Sequence, residues 1–454
     1  MDESGKSSHW PLAAICFGYF MVILDATVVN VALPAMMRSL HTTTTSLQWI
    51  VDSYSLTFAA LLLSAGALGD RRGAKSVFLS GIGLFTVSSL ACGLAQSADM
   101  LILARCVQGF GAALAVPTSL SLLQTSYTDR AARARAFGIW GGVAGIAAGA
   151  GPVVGGALVS SLGWQSVFFI NVPIGVIGIG VASHFLPSSP RSPHSIDPAG
   201  QISGVLCLAG VTVALIEAGP MGWSSPVVIV GFALFVLAGA IFIAIENQAR
   251  FSMLPLELFS STNFSAATVI GLLINFAFYG ELFVMSIYLQ QLRGLSPLSA
   301  GVVLLPQMAM AVIGSTLSGW VMAHTGPRLP MLVGLTLGGT GLLGLMATGV
   351  HSAYGLLVLP FLAVGFGMSV TMPAATAATM QAAPVEHGGI ASGVLNSARQ
   401  VGGVIGVALL GTLVVAHRSS FIQGLHVGML IAGSAFLLGA ALVWILIARP
   451  NTEE

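Results

Sequence analysis

Long apolar segments dominate the pattern of hydrophobic and polar positions in this chain of 454 residues. Each segment is about twenty residues long, the length that an α-helix needs to cross the hydrocarbon core of a bilayer. The segments lack the alternating polarity of membrane β-barrels, and 56 glycines suit close packing of helices in lipid. The predicted fold class is an all-α polytopic membrane protein with 14 transmembrane helices. They lie at 12–34, 48–69, 76–95, 99–123, 136–160, 165–186, 198–219, 226–246, 264–290, 298–323, 328–349, 353–382, 390–416 and 424–448.

An internal repeat relates two parts of the chain. The segment QGFGAALAVP recurs as VGFGMSVTMP after 256 residues, and the same displacement carries Asp25 onto Glu281. Gly73 in the loop GALGDRRG reappears as Gly326 after 253 residues. The repeat predicts two pseudo-symmetric six-helix bundles in parallel orientation plus two inserted helices, an arrangement typical of alternating-access transporters. The predicted domains are an N-terminal six-helix bundle (1–186), a linker with inserted helices 7 and 8 (187–263) and a C-terminal six-helix bundle (264–454).

Composition and charge narrow the classes of function. Hydrophobic residues make up 56% of the chain and charged residues 7%, which excludes a soluble cytosolic enzyme. A net charge of +1 leaves no basic surface for nucleic acid, and no G-x-x-x-x-G-K-[ST] segment is present to hold a nucleotide. No catalytic or metal-binding cluster is predicted at membrane depth, so we expect neither enzyme activity nor a metal nor a cofactor.

Positive charges are distributed unequally between the two sides of the predicted membrane. Eleven Lys and Arg residues lie in loops on one side and three on the other. By the positive-inside rule, both termini are expected in the cytoplasm, with the chain in the cytoplasmic (inner) membrane.

Asp25 lies near the predicted centre of the first span. An ionised carboxylate costs at least a few kcal/mol there, so we expect it to face the bundle interior or water. A carboxylate that holds either a proton or a cation, but not both, makes the two exchange through one site. The alternative is an aspartate that only orients helices through hydrogen bonds to Thr27 or Asn30.

Glu281 and Arg105 are two further ionisable residues inside predicted spans. Glu281 is the repeat counterpart of Asp25, and its aromatic neighbours either receive the apolar body of a lipophilic cation or face lipid and core. Arg105 cannot shed its proton, so it is either a mobile counter-charge for Asp25, sharing a polar face with Gln108, or it snorkels to the outer interface. We assign proton coupling to Asp25, Arg105 and Glu281.

Six polar or aromatic residues form a tentative substrate cavity. Asp52 follows Trp49 one turn into span 2, where the helix dipole alone would also stabilise a carboxylate. Arg399 lies about two turns into span 13, where it is either a gate or packing residue or snorkels to the cytoplasmic interface. Glu217 and Glu246 lie at span ends, and we expect both to be solvated. The cavity is assigned to Asn30, Trp49, Asp52, Gln108, Tyr279 and Arg399.

Glycines mark two backbone motifs. The segment GALGDRRGAK predicts a tight cytoplasmic turn, in which Gly66 and Gly73 permit close approach. Asp70, followed by Arg71, is a candidate conformational latch that caps or pairs with a neighbouring helix end. In span 5, small residues around Pro152 predict a kinked helix that packs tightly yet pivots between the halves, with plain packing as the alternative.

These motifs together resemble those of the major facilitator superfamily, and specifically its fourteen-span drug:proton antiporter branch. LDATVVNVALP is similar to the span 1 motif of that branch, and GALGDRRGAK and ARCVQGFGAA are similar to its loop and span 4 motifs. GAGPVVGG and WQSVFFINVPIG resemble the span 5 antiporter motif and the span 6 segment. The resemblance implies proton coupling by Asp25 and Arg105, an outward-facing state latched by Asp70, and export rather than import. The residues that match the antiporter motif are Gly151, Pro152, Gly155 and Gly156.

The sequence therefore predicts a proton-coupled exporter of amphipathic drugs, cationic or neutral, that works by alternating access and as a monomer. Its expected partners are small amphipathic drug-like substrates, protons and the lipid bilayer. A narrow exporter of a single antibiotic, metabolite or lipid is the alternative within transport. Outside transport, the alternatives are a membrane-bound enzyme and a channel-like receptor. The missing catalytic cluster argues against the enzyme, and the paired buried acids argue against the receptor.

Overall fold

The computed structural model describes residues 10–127, 129–187, 197–248, 254–384, 388–416 and 421–447. Within these ranges the chain forms helices and no strand. The first seven helices are α1 (Trp10–Ser39), α2 (Thr44–Arg72), α3 (Ala74–Gly93), α4 (Ala98–Ser126), α5 (Arg130–Leu162), α6 (Ser166–Phe169) and α7 (Asn171–Phe185).

The later part of the chain continues in the same way. The helices α8 (Pro198–Met221) and α9 (Pro226–Gln248) pack on each other as a pair. A 3-10 helix (Leu256–Ser260) precedes α10, a π-helical turn (Tyr288–Leu292) ends it, and a 3-10 turn (Leu345–Ala347) follows α13. The remaining helices are α10 (Thr262–Ile287), α11 (Pro297–Val303), α12 (Leu305–Thr325), α13 (Arg328–Gly344), α14 (Gly355–Ala382), α15 (Gly388–Ala416) and α16 (Phe421–Leu446).

Twelve helices of the described ranges are long and apolar enough to cross a membrane, and the number becomes 14 when two bent pairs each count as one span. The bends lie within α2, at 55°, and between α11 and α12, at 44°. Each of the predicted apolar segments falls on one of these spans. The all-α polytopic fold is confirmed. Five charges that the predicted orientation uses lie outside the described residues, namely Lys6, Arg191, Arg250, Arg418 and Arg449.

The helices form two groups, α1 to α7 and α10 to α16, that repeat the same contacts. In the first group α4 packs on α2 and α3, and in the second α14 packs on α12 and α13. A Cβ atom at Gly109 would lie 2.3 Å from the Tyr54 carbonyl oxygen, and one at Gly365 would lie 2.0 Å from that of Gln307. Tyr54 and Gln307 are themselves 253 residues apart, so the repeat in sequence is also a repeat of packing. The domain boundaries at 1–186, 187–263 and 264–454 stay a prediction.

Two turns repeat as well. The helix α2 ends at Gly73, which has a φ of 95°, and α12 ends at Gly326, which has a φ of 71°. Residues other than glycine rarely adopt these backbone angles. Since α3 begins at Ala74, a single glycine makes the whole connection between α2 and α3.

The pair α8 and α9 lies beside both groups. The helix α8 packs on α2 of the first group and on α15 of the second. The helix α9 packs on α8 and exposes a broad apolar face that includes Val230 and Leu237. In a bilayer such a face contacts lipid, which costs nothing when the backbone hydrogen bonds are satisfied within the helix.

The expectation of a solvated carboxylate is wrong for Glu246. Glu217 is half-buried and accepts a hydrogen bond at 2.9 Å from the indole nitrogen of Trp49. Glu246 is 3% exposed and accepts a hydrogen bond at 2.9 Å from the backbone nitrogen of Leu254. Both carboxylates lie near helix ends as predicted, Glu217 at the edge of an open surface cavity and Glu246 covered by the chain at Leu254.

We expect the glycine contacts between α3 and α4 to be required for stability. A Cβ atom at Gly111 would lie 2.6 Å from the Phe85 backbone nitrogen, so Gly111→Ala forces the helices apart and costs about 1–3 kcal/mol. Thermal unfolding of detergent-purified protein measures the loss. Gly142→Ala is the matched control, since nothing lies within 4 Å of a Cβ atom there. Equal stability of the two variants would contradict this account of the packing.

Candidate functional site

Asp25 lies in the middle of α1 and is completely buried. One of its carboxylate oxygens, Oδ2, accepts a hydrogen bond from Arg105 Nη1 in an ion pair with α4. The other oxygen, Oδ1, accepts hydrogen bonds from Gln108 Nε2 and Asn171 Nδ2, each at 2.9 Å. Donors from α4 and α7 therefore occupy both oxygens of the carboxylate.

A second set of contacts holds these donors in place. Gln108 Nε2 also donates to Ser89 Oγ at 2.7 Å, and Arg105 Nη1 donates to Gln108 Oε1 at 2.7 Å. Arg105 Nε donates to the Ile50 carbonyl at 3.2 Å, and the guanidinium carbon lies 4.1 Å from the centre of the Tyr54 ring. The close approach of α2 to α4 makes the last two contacts possible.

The ion pair is stable at membrane depth only as a complete network. Taking a charged group out of water costs on the order of several kcal/mol, which good geometry and further hydrogen bonds offset. A proton on Asp25 would remove the attraction and leave the Arg105 charge uncompensated. Asp25 and Arg105 therefore link α1 to α4 through an ion pair that depends on the ionised carboxylate.

The structure does not show the alternative contacts predicted for Asp25 and Arg105. The side chains of Thr27 and Asn30 donate to carbonyl oxygens of their own helix rather than to Asp25. Arg105 is 1% exposed, and its hydrogen-bond partners lie inside the bundle rather than at a membrane surface. The structure thus brings Asp25 and Arg105 together with Gln108.

Two members of the network, Asn171 and Ser89, are absent from the predicted site. Asn171 is the first residue of α7, just after the break that separates α6 from α7, and Ser89 lies in α3. Asn171 could have been found, because it is an amide in the otherwise apolar run VFFINVPIG. Ser89 gives no such signal, since serine in a helix often bonds only to its own backbone.

Glu281 occupies in α10 the place that Asp25 occupies in α1, but its partner differs. Oε2 accepts a hydrogen bond from Gln307 Nε2 at 2.8 Å, whereas Oε1 has no partner in the described part of the chain. The side chain is completely buried. The residue that matches Arg105 in the repeat is Phe361, so the second group holds its carboxyl with a neutral amide instead of a cation.

Asp52 is another completely buried carboxyl, one helical turn after Gln48 in α2. Neither of its oxygens has a hydrogen-bond partner among the described residues. Trp49, its predicted companion in the cavity, donates instead to Glu217 of α8. The indole of Trp49 therefore bonds to α8 and not to Asp52.

A cavity of about 20 Å³ lies where the two groups of helices meet. Residues of α1, α2 and α4 line one side, and residues of α10 and α15 line the other. This volume suits about one water molecule, whereas a drug-sized ligand needs roughly 300–1,000 Å³. Of the six predicted cavity residues, Tyr279 lines this space. Arg105, which is not one of the six, lines it as well. The others lie outside its lining, namely Asn30, Trp49, Asp52, Gln108 and Arg399.

Arg399 is 7% exposed and lies in α15. Its neighbour Gln400 lines the cavity. Arg399 Nη2 donates to the Met372 carbonyl at 3.0 Å and to Thr376 Oγ1 at 2.7 Å, both in α14. These partners are neutral. They hold the guanidinium inside the bundle rather than at the membrane surface.

Hydrogen bonds between the two groups concentrate at one end of the molecule. Gln48 Nε2 donates to the Ala408 carbonyl at 2.8 Å, and Gln290 Nε2 donates to the Val31 carbonyl at 2.9 Å. At the same end, a Cβ atom at Gly156 of α5 would lie 2.6 Å from the backbone of α11. The distribution of positive charges predicts this end to be external, so the two groups are closed toward that side.

The residues of the antiporter motif lie between α1 and the second group. Cβ atoms at Gly151 and Gly155 would lie 2.0 Å and 2.8 Å from atoms of α1, two to three residues after Asp25. The Pro152 carbonyl faces Gly301 of α11, where a Cβ atom would lie 2.3 Å from it. The helix α5 therefore contacts both the Asp25 helix and the opposite group.

The loop motif lies at the opposite end of α2. Asp70 and Arg71 are exposed in the last turn of the helix, before the turn at Gly73. Gly66 makes ordinary contact with α4, since a Cβ atom there would lie 3.8 Å from Pro117. The latch role of this motif stays a prediction.

Comparison with known proteins identifies the family. The family model of the Major Facilitator Superfamily matches residues 15–407. The chain belongs to this superfamily. Among its members, the methylenomycin A resistance protein of Streptomyces coelicolor is 38% identical over 444 residues, which cover 98% of this chain and 93% of that protein. The methylenomycin A resistance protein of Bacillus subtilis is 39% identical over 442 residues, covering 97% and 94%.

Two more similarities concern a resistance protein and the fold of a solved transporter. The multidrug resistance protein Stp of Mycobacterium tuberculosis is 35% identical over 413 residues, covering 91% of this chain and 77% of that protein. A peptide transporter POT solved in complex with sulfate has a TM-score of 0.72 at 16% identity, covering 96% and 93%, which shows the fold alone. The chain is a multi-pass membrane transporter and not an enzyme, as predicted.

In this major facilitator protein, losing one member of the ion pair should cost more stability than losing both. Arg105→Met leaves a buried carboxylate uncompensated, which we expect to cost about 3 kcal/mol. Adding Asp25→Asn should restore most of that loss, because the remaining charge is removed. Thermal unfolding of the single and double variants in detergent, at mildly alkaline pH, measures the coupling. Simply additive effects would show that the two charges do not stabilise each other.

Proposed function

We propose that the chain exports amphipathic drug-like compounds from the cytoplasm in exchange for protons, by alternating access between the two helical groups. One observation carries the proposal: Asp25 is completely buried and is bound through both oxygens to protein donors, one of them the guanidinium of Arg105. Relatives named for methylenomycin A resistance and for multidrug resistance support drug-like compounds as the cargo.

Protonation of Asp25 is the proposed switch. The ionised carboxylate holds α1 against α4 and α7 through Arg105, Gln108 and Asn171. A proton that arrives from outside removes the ion pair, frees these donors and favours release of the drug, and loss of that proton to the cytoplasm restores the network. Glu281 is the second candidate, because only one of its oxygens is bound among the described residues.

The proton gradient is the proposed source of energy, without a cofactor. One elementary charge that crosses the membrane supplies about 2.3 kcal/mol per 100 mV, which corresponds to a drug gradient of tens-fold for each net charge moved. The sign of the loop charges supports a place in the cytoplasmic (inner) membrane with both termini in the cytoplasm. In this proposal the chain works as a monomer, since the cavity is formed by two groups of helices of one chain.

A narrow exporter of a single antibiotic is the second candidate. Two relatives that match over more than nine-tenths of both chains are each named for one antibiotic, methylenomycin A. The multidrug resistance protein Stp is matched over 77% of its length.

Resistance tests separate the broad exporter from the narrow one. We expect expression in a pump-deficient bacterial host to raise the tolerated concentration of several unrelated amphipathic compounds by at least about fourfold, tested over a panel of dyes and antibiotics. Protection against one chemical family only would support the narrow exporter. No protection against any member of the panel would contradict both.

Proton coupling is tested in proteoliposomes with a compound selected from that panel. An imposed pH gradient should accelerate uptake by wild-type protein about tenfold or more, and Asp25→Asn should abolish the acceleration because this side chain cannot titrate. Exchange of labelled for unlabelled compound without a gradient should persist in the variant. Glu257→Gln, which changes an exposed carboxylate outside the spans, is the matched control. Wild-type transport that does not respond to the pH gradient, or full acceleration in Asp25→Asn, would contradict the proposal.

A further inference from the structure

A cluster of hydrogen-bond donors lies between the two helical groups, on the side of Asp25 that the loop charges predict to be cytoplasmic. Tyr19 of α1 stacks on Trp140 of α5, with ring centroids 3.8 Å apart and planes at 7°. Arg399 of α15 is next to Gln400, which lines the cavity between the groups together with Tyr279, and its charge lies within electrostatic range of the Tyr19 side chain. We call these four residues, Tyr19, Trp140, Tyr279 and Arg399, the donor cluster.

The charge of Arg399 is not neutralised by any carboxylate that contacts it in the described ranges. Its Nη2 is bound to two neutral oxygens of α14, and Nη1 and Nε donate to no described acceptor. A buried cation inside a membrane protein is costly and is commonly part of a functional site. Arg105 differs in this respect, because Asp25 compensates its charge.

Trp140 supplies a second, independent observation. Its indole nitrogen Nε1 is buried and has no hydrogen-bond acceptor among the described residues. Buried donors are nearly always paired, so an unpaired one requires an explanation. An acceptor that arrives with a ligand would satisfy both the indole N–H and the free edge of the Arg399 guanidinium.

The carboxyl groups are poorly placed to attract a cation. Protein donors occupy both oxygens of Asp25, and Asp25, Asp52 and Glu281 are all absent from the lining of the cavity between the groups. The charged residue in that lining is Arg105. Asp25 compensates that charge, so the lining offers a substrate aromatic rings and no carboxylate, and the uncompensated cation beside it is Arg399, next to Gln400.

We propose that the preferred substrates are amphipathic anions, carboxylates above all, and not the cations expected from the sequence. The anionic group would bind the free edge of the Arg399 guanidinium in the two-pronged geometry that arginine favours, with Trp140 Nε1 as a further donor. The apolar body would lie against the rings of Tyr19 and Tyr279 as the cavity widens. This inference rests on the proposed function as an exporter and narrows its cargo.

Binding to purified wild-type protein in detergent tests the sign of the substrate. The probes are fluorescein, an anionic xanthene dye, and a cationic rhodamine ester with the same ring system, followed by fluorescence anisotropy. We expect fluorescein to bind at least about tenfold more tightly, a difference of about 1.4 kcal/mol. Arg399→Gln should remove that preference, and Arg399→Lys, which keeps the charge, should retain part of it.

Trp140→Phe keeps the test decisive if Arg399→Gln does not fold. This change preserves the ring on Tyr19 and removes only the N–H, so we expect fluorescein binding to weaken about two- to fivefold. Tighter binding of the rhodamine by wild-type protein, or unchanged fluorescein binding in Trp140→Phe and in every folded Arg399 variant, overturns the proposal. Binding of phosphatidylglycerol that depends on Arg399, without binding of fluorescein, also overturns it, because the anion would then be a lipid headgroup.

The design separates this inference from the proposed proton coupling. Dye binding is measured without a pH gradient, and Asp25→Asn should keep the preference for fluorescein. Loss of gradient-driven transport in Asp25→Asn, together with a dye preference independent of Arg399, would leave the exporter standing and remove the anion site. Full gradient-driven transport in Asp25→Asn, together with a fluorescein preference that depends on Arg399, would support the anion site and contradict proton coupling by Asp25.

Discussion

A carboxylate and a guanidinium stay ionised in the middle of a bilayer only if each replaces part of the solvation that the other has lost. Asp25 and Arg105 meet that condition, and Gln108 and Asn171 complete the shell around the carboxylate. The network fixes where α1, α4 and α7 lie relative to one another. Its contacts depend on the ionised form of one group, so the proposed protonation of Asp25 would alter contacts among three helices.

The pair also requires backbones that approach closely, and glycines supply this. Gly109 lets α2 lie on α4, which brings Tyr54 under the guanidinium of Arg105. The repeat places Gly365 against Gln307 in the second group, where the amide binds Glu281 without a cation. The two groups thus share their packing but not their electrostatics. The first holds a charge pair, and the second holds a carboxyl and, on another helix, the separate charge of Arg399.

Much of the fold and part of the site could be predicted from the sequence. Membrane spans and buried charges can be recognised in the sequence because polar groups are costly in lipid. Asp25 and Arg105 stand out for that reason. Asn171 could not be paired in advance, since its contact with Asp25 joins residues 146 positions apart. The burial of Glu246 depends on the path of the chain at Leu254, which no local pattern reveals. Aromatic residues beside Glu281 suggested a cation, but only the structure places the carboxyls outside the cavity lining.

Proton release from purified protein tests the central claim most directly, because it needs no membrane gradient. A compound that the resistance panel identifies as a substrate is added to the detergent-solubilised protein in weak buffer that contains a pH indicator. If protonation of Asp25 and binding of substrate oppose each other, wild-type protein held at a mildly acidic pH, where part of it carries the proton, releases protons as the compound saturates it, and Asp25→Asn, still binding the compound, releases none. Equal proton release from both proteins, or binding by wild-type protein without any release, would contradict the claim that Asp25 couples the two.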